Sequence, residues 1–157
     1  LARLFRGVDE HQTKLMVIFG GVLPVANYFV NVAADAAALA LVHGADVLTV
    51  FDKPQRDALA MLFLRLRDQQ VVAAETLWGV WLFPLAILIW KSRALPRLLA
   101  VWLALAGVSY VALSFTGLMM PQHQDLVFRL GSPARFGELA LTLWLLIMGA
   151  KAKDTPP

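Results

Sequence analysis

A chain of 157 residues in which 59% are hydrophobic and 16% charged is too apolar for an ordinary soluble domain, where about a quarter of residues carry charge. Its net charge of +3 is small, and the positives gather at the ends of apolar stretches, which argues against a nucleic-acid surface. The absence of cysteine excludes disulfides, thiolate metal centres and a cysteine nucleophile.

The chain opens on Leu1, and residues 1–14 (Arg3, Arg6, Asp9, Glu10, Lys14) are too polar for the core of a signal peptide, so an earlier span is expected upstream. A helix needs roughly 20 apolar residues to cross the hydrocarbon. Span one is expected over about 15–42, with residues 15–34 free of charge. Pro24 removes a backbone donor there and frees the Gly20 carbonyl, which predicts a kink. A short helix follows over about 54–66, with Asp52 and Gln55 as a capping pair. At 1.5 Å per residue it reaches only about 20 Å, so it is expected to lie in the interface or against the bundle.

Span two is expected over about 70–90, with Pro84 freeing the Val80 carbonyl. Span three covers about 95–120: Pro96 suits its first turn, Pro121 stops it, and residues 98–124 contain no Asp, Glu, Lys or Arg. Residues 122–131 read as a short polar connection. Span four is expected over about 133–150, with Ser132 as the cap and Pro133 at the first helical position. The fold class is therefore all-α: an integral membrane four-helix bundle with one short interfacial helix, as a single transmembrane domain over residues 1–157.

Lys and Arg placement sets the expected orientation. Arg3, Arg6, Lys14, Lys91, Arg93, Arg97, Lys151 and Lys153 fall on one side, and a smaller set (Lys53, Arg56, Arg65, Arg67, Arg129 and Arg135) on the other. Both termini are placed in the cytoplasm, with Trp90 and Trp102 near the membrane boundary.

Three carboxylates interrupt the apolar stretches: Asp35, Glu75 and Glu138. Asn27, Asn31 and Asp35 recur four residues apart and share a helix face. Glu75 aligns with Gly79, Gly107 with Tyr110, Ser114 and Gly117, and Arg135 with Glu138 and Thr142. Small residues let helices approach and polar ones bond across them, so these faces should point inward. The expected outcome is one polar pocket near the outer face, built from Asn31, Asp35, Glu75, Arg135 and Glu138. Its excess negative charge would suit a proton, a hard cation or an amine, or would be met by Arg129 or Arg65. The plainer reading pairs Arg135 with Glu138 and Asp35 with Asn31 as structural glue, while Glu75 reaches the outer interface. His11, His43 and His123 read as solvated, an outer metal site being the weaker alternative. Trp78, Trp81 and Trp144 read as packing residues. No catalytic residue, metal ligand or cofactor is assigned.

W-G-V-W-L-F-P-L (78–85), L-P-R-L-L (95–99) and F-G-E-L-A-L-T-L-W-L-L-I-M-G (136–149) resemble a bacterial multi-spanning membrane family known as a domain of unknown function, number four-three-eight-six. A-L-A-M-L-F-L-R-L-R-D (58–68) is similar to its pre-span helix, with Arg67 where the family pattern carries a His. The resemblance implies a protein of six or so helices in the bacterial inner (cytoplasmic) membrane, of which this chain is the C-terminal part. It also implies that Gly137 and Glu138 are shared features. It implies no reaction.

Three functions remain open. The first is a non-enzymatic accessory or interaction subunit of a larger membrane assembly, with membrane lipids and other membrane proteins as partners and no nucleic acid. The second is a small transporter or sensor binding a proton, cation or small ligand at the carboxylates. The third is a membrane enzyme acting on a lipid or quinone, with those carboxylates as acid–base groups.

Overall fold

The computed structural model describes residues 2–44 and 48–150. Among the described residues the chain is helical, with no strand. Leu1, Lys151 and Lys153, the last two from the expected cytoplasmic set, lie outside the described residues. Short α1 (Ala2–Phe5) leads into α2 (Glu10–Val17), a π-helical turn (Ile18–Val22) and α3 (Leu23–His43), which together make one rod. The second rod is α4 (Lys53–Val80) followed by α5 (Leu82–Ser92). The third is α6 (Arg97–Met119), and the fourth is α7 (Gln124–Ile147), reached through a 3-10 turn at Pro121–His123. Three helical stretches, Glu10–His43, Lys53–Ser92 and Arg97–Met119, are long and apolar enough to cross a membrane. The fourth rod, with Arg135 and Glu138 near its middle, is not one of them.

Local chemistry explains several joints. Pro24 cannot donate to Gly20, and the disturbance takes the form of the π-helical turn just before it, where Leu23 N–H reaches back to the Ile18 carbonyl. Asp52 and Gln55 form a reciprocal cap at the start of α4: Gln55 N–H donates to Asp52 Oδ1 at 2.8 Å, and Asp52 N–H donates to Gln55 Oε1 at 3.1 Å. The second rod breaks at Trp81, three residues before Pro84. Arg93 ends it in the left-handed region at φ 55°, so the tight Arg93–Pro96 turn rests on a strained non-glycine residue.

Two boundaries differ from expectation. No break separates the short helix at about 54–66 from span two: α4 runs unbroken from Lys53 to Val80. The polar run R-L-R-D-Q-Q over 65–70 changes what the helix faces but holds no glycine or proline to stop it. Span four does not start at Pro133 either. Its helix starts at Gln124 and passes through the proline. Side chains bond the carbonyls on either side of it. Trp102 Nε1 donates to the Pro133 carbonyl (2.9 Å), Ser109 Oγ to that of Gly131 (3.3 Å), and Arg135 to that of Phe128 (2.7 Å). Neighbouring helices commonly make a proline tolerable in membranes in this way.

The rods stand in chain order, each antiparallel to the next. The first packs on the second, the second on α6, and α6 on α7. Asp9 meets Lys91, Gly20 meets Trp81, Asn27 meets Gln70 and Asp35 meets Arg67, which sets the register of the first pair. Val72 lies against Gly117, Thr76 against Ser114 and Gly79 against Gly107, which sets the second. The main core gathers where α5 and α6 meet: Leu82, Leu85, Leu88, Ile89, Leu103 and Ala106 are fully buried. Phe5 of α1 joins this core, also fully buried.

One consequence of this register is an overhang. Since Val72 is level with Gly117 near the end of α6, residues 53–68 of α4 run past that end by about 24 Å, with the second half of α3 beside them. This projecting hairpin has its own small core of Ala38, Leu41 and Ala60, with Leu48, Leu59 and Phe63 against it.

Candidate functional site

The expected pocket residues fall into two groups. Asn31 and Asp35 sit on α3 and look toward α4. Asp35 Oδ1 lies 3.1 Å from Arg67 Nε, an ion pair on the surface with both side chains about half exposed, 50% and 42%. Arg67 also reaches Asp68 at 3.3 Å. One turn away Gln70 donates to Asn27 Oδ1. Asn31 lies between these pairs, and its Oδ1 is enclosed without a hydrogen-bond partner. The cation that meets Asp35 is thus Arg67 rather than the expected Arg65 or Arg129. Asn31 does not bond Asp35.

Glu75, Arg135 and Glu138 belong to the other group, over α6. Arg135 does not form an ion pair with Glu138. Its guanidinium donates to Ser109 Oγ (3.0 Å), Ser132 Oγ (3.2 Å) and the Phe128 carbonyl (2.7 Å), and lies 4.5 Å from the Phe128 ring centre. Ser109, Ser132 and the Phe128 carbonyl surround it, and a guanidinium has donors enough to serve several acceptors at once. Glu138 faces the Tyr110 hydroxyl instead. Tyr110 stands edge-on to Trp78 at 6.2 Å and lies 5.9 Å below the Arg135 guanidinium. Glu75, one turn before Trp78, has Oε2 enclosed with no hydrogen-bond partner.

The second group is therefore a polar cluster. Tyr110 of α6 lies between Trp78 of α4 and Arg135 and Glu138 of α7, with Glu75 one turn before Trp78. Close helix packing builds it. A Cβ on Gly79 would come within 2.6 Å of the Gly107 carbonyl oxygen and 2.8 Å of Val111 Cγ2. A Cβ on Gly137 would come within 2.9 Å of Trp102 Cδ1. Absent side chains at Gly79 and Gly137 bring α4 and α7 down onto α6, and Thr76 Oγ1 to Ser114 Oγ (2.8 Å) fixes the register. Chemically the cluster offers two carboxylates outside any ion pair among the described residues, a phenol between α4 and α7, and one arginine already engaged with neutral acceptors.

Sequence reasoning missed Arg67 and Gln70 as partners of the α3 stripe, and Ser109, Ser132 and Trp102 as the groups that steady α7. Tyr110 was visible on the α6 stripe, but not its turn away from Ser114 toward Trp78 and Glu138. Trp102, expected near the boundary, donates to the Pro133 carbonyl, a partner the sequence did not reveal.

Residues 1–149 match the family described as Domain of unknown function (DUF4386), and the chain belongs to that family. No curated protein and no solved structure matches.

Proposed function

We propose that this member of the DUF4386 family is a non-enzymatic membrane subunit that docks other membrane proteins through its projecting α3–α4 hairpin. The supporting observation is the mismatch between the hairpin's position and its surface. The stretch where all four rods lie side by side is about 33 Å tall, close to the hydrocarbon thickness, counting 22 or so residues at 1.5 Å each. The hairpin extends beyond it, yet exposes Leu39, Val42, Met61, Leu62 and Leu66, each half or more exposed. Apolar side chains in lipid need no cover; beyond the hydrocarbon they mark a contact surface. By sequence, eight Lys and Arg fall with the termini and the 91–97 turn against six with the hairpin and the far half of α7, a bias that favours the cytoplasmic side of an inner membrane for the termini and the opposite side for the hairpin.

The test is gentle purification combined with site-specific photo-crosslinking. Leu62 and Leu39 should crosslink to the same second membrane protein, which should co-purify unchanged with Glu138→Gln. Crosslinks to lipid alone, from a chain that purifies without partners, would refute the reading.

One atom favours a second reading, in which the α4–α6–α7 polar cluster binds a proton or small cation. Glu75 Oε2 is enclosed without a partner, an expensive arrangement unless something neutralises it. Under this reading a cation- or pH-dependent rise in thermal stability disappears in Glu75→Gln and in Glu138→Gln. An identical response from wild type and both variants excludes it.

A further inference from the structure

At the end of the molecule opposite the hairpin, α1 and α2 enclose a recess of about 740 Å³. Arg3, Arg6 and Lys14 line it with Glu10, and it descends to Val17 and Ile18. Its polar and apolar parts are sorted along the rod. Arg3 and Arg6 sit at the rod's end, Lys14 one turn before the apolar part, and Val17 and Ile18 beyond it, 42% and 43% exposed.

The cations are available. Among the described residues neither Arg3 nor Arg6 takes part in an ion pair. The nearby carboxylates are engaged elsewhere: Glu10 with Lys14 at 2.8 Å and Asp9 with Lys91 at 2.6 Å. Arg3 and Arg6 are one turn apart and project from the same side. The short α1 that carries them is pinned, because Phe5 is wholly buried in the main core. The level of the recess is marked by Trp90, whose ring lies 4.9 Å beneath the Arg97 guanidinium, a pairing suited to the membrane–water boundary.

We infer that this recess binds an anionic phospholipid, with Arg3 and Arg6 holding the headgroup phosphate and Val17 and Ile18 lying along the first part of an acyl chain. A basic recess at the end of membrane helices fits an anionic headgroup. Free phosphate shares the headgroup chemistry but leaves the apolar floor unused. The inference does not depend on what docks at the hairpin.

The full chain would be purified and reconstituted in bilayers of phosphatidylcholine alone or with added phosphatidylglycerol. Lipid retained after detergent exchange would be counted by native mass spectrometry. Phosphatidylglycerol should be retained over phosphatidylcholine. Arg3→Gln with Arg6→Gln should weaken retention about thirtyfold, taking two surface arginines at their usual strength. Lys53→Gln with Arg56→Gln, at the far end, should change nothing. Glu10→Gln removes the carboxylate in the recess and should strengthen retention, which keeps the test decisive if the double variant folds poorly. Equal retention of the two lipids, a Glu10→Gln variant that binds no better, or thermal protection by inorganic phosphate equal to that by the lipid would each overturn the inference.

Discussion

The α4–α6 and α3–α4 contacts are both antiparallel helix pairs on the same helix, but they are held in different ways. Between α4 and α6 the backbones touch, because Gly79 and Gly107 leave no room for a side chain, and Ser114 and Gly117 are buried beside them. Between α3 and α4 the helices are bridged by side chains: Gln70 to Asn27, Arg67 to Asp35, and a small alanine–leucine patch. The first contact has one geometry, since a carbonyl cannot yield. The second rests on long side chains that can re-form their bonds, and only 6% of the first rod's apolar window is buried, against 44% for the second and third. A rigid centre thus carries an adjustable flank, as a docking hairpin requires.

Forcing the rigid contact apart should have the largest effect. Gly79→Leu would drive a side chain into the Gly107 carbonyl and Val111, and should cost about 3 kcal/mol. Thermal unfolding in detergent would show it as a large drop in midpoint. Gly21→Leu, where a Cβ meets nothing within 4 Å, is the matched control and should unfold near the wild-type temperature. Similar losses in both would mean that the close approach is not what holds the centre.

Next comes the turn around Pro133. Arg135→Gln removes charged donors from Ser109, Ser132 and the Phe128 carbonyl, and should cost about 2 kcal/mol. The loss should concentrate in α7, with faster amide exchange over 128–135 and little change in α5. Uniform exchange along the whole chain would argue that Arg135 supports the bundle generally rather than this turn.

Much of this architecture could be read from local chemistry. Pro24, Pro84 and the Asp52–Gln55 cap act on their own neighbours, so one strand of text is enough to place them. Pro133 was misread because a proline at a helix start and one inside a helix look alike locally. What decides between them is Trp102 and Ser109, some thirty and twenty residues away in sequence and carried on another helix. The gap expected near residue 67 had a similar origin. A change of polarity marks where a helix changes neighbours, and here Arg67 and Gln70 turn toward α3 while the helix continues. The split of the carboxylates follows from register. Asp35 faces α4 and Glu138 faces α6, but α3 and α7 flank opposite sides of the centre, and no single-helix pattern encodes that.

On the adjustable flank the expected effects are smaller. The Asp35–Arg67 pair is half exposed, so a double-mutant cycle with Asp35→Asn and Arg67→Gln should give a coupling of about 0.5 kcal/mol. A coupling above about 2 kcal/mol would mean that the hairpin is as rigidly built as the centre.

The smallest effect belongs to the first rod's other end, where Asp9 caps α2 and meets Lys91. Gln12 N–H donates to Asp9 Oδ1 at 3.0 Å and Lys91 Nζ lies 2.6 Å from Oδ2. Both favour the carboxylate, the backbone donor more than the ammonium, and hold its pKa below the ordinary aspartate value. A depressed folded pKa means that the unfolded chain takes up the proton first as pH falls. The stabilisation is therefore fully present above the ordinary aspartate range and is lost as pH falls through the folded value. Asp9→Asn should be slightly less stable than wild type at pH 7, and the two should converge once the pH falls below the depressed folded value. A difference between the two proteins that persists unchanged into acid would show that shape at residue 9, rather than its charge, anchors that end.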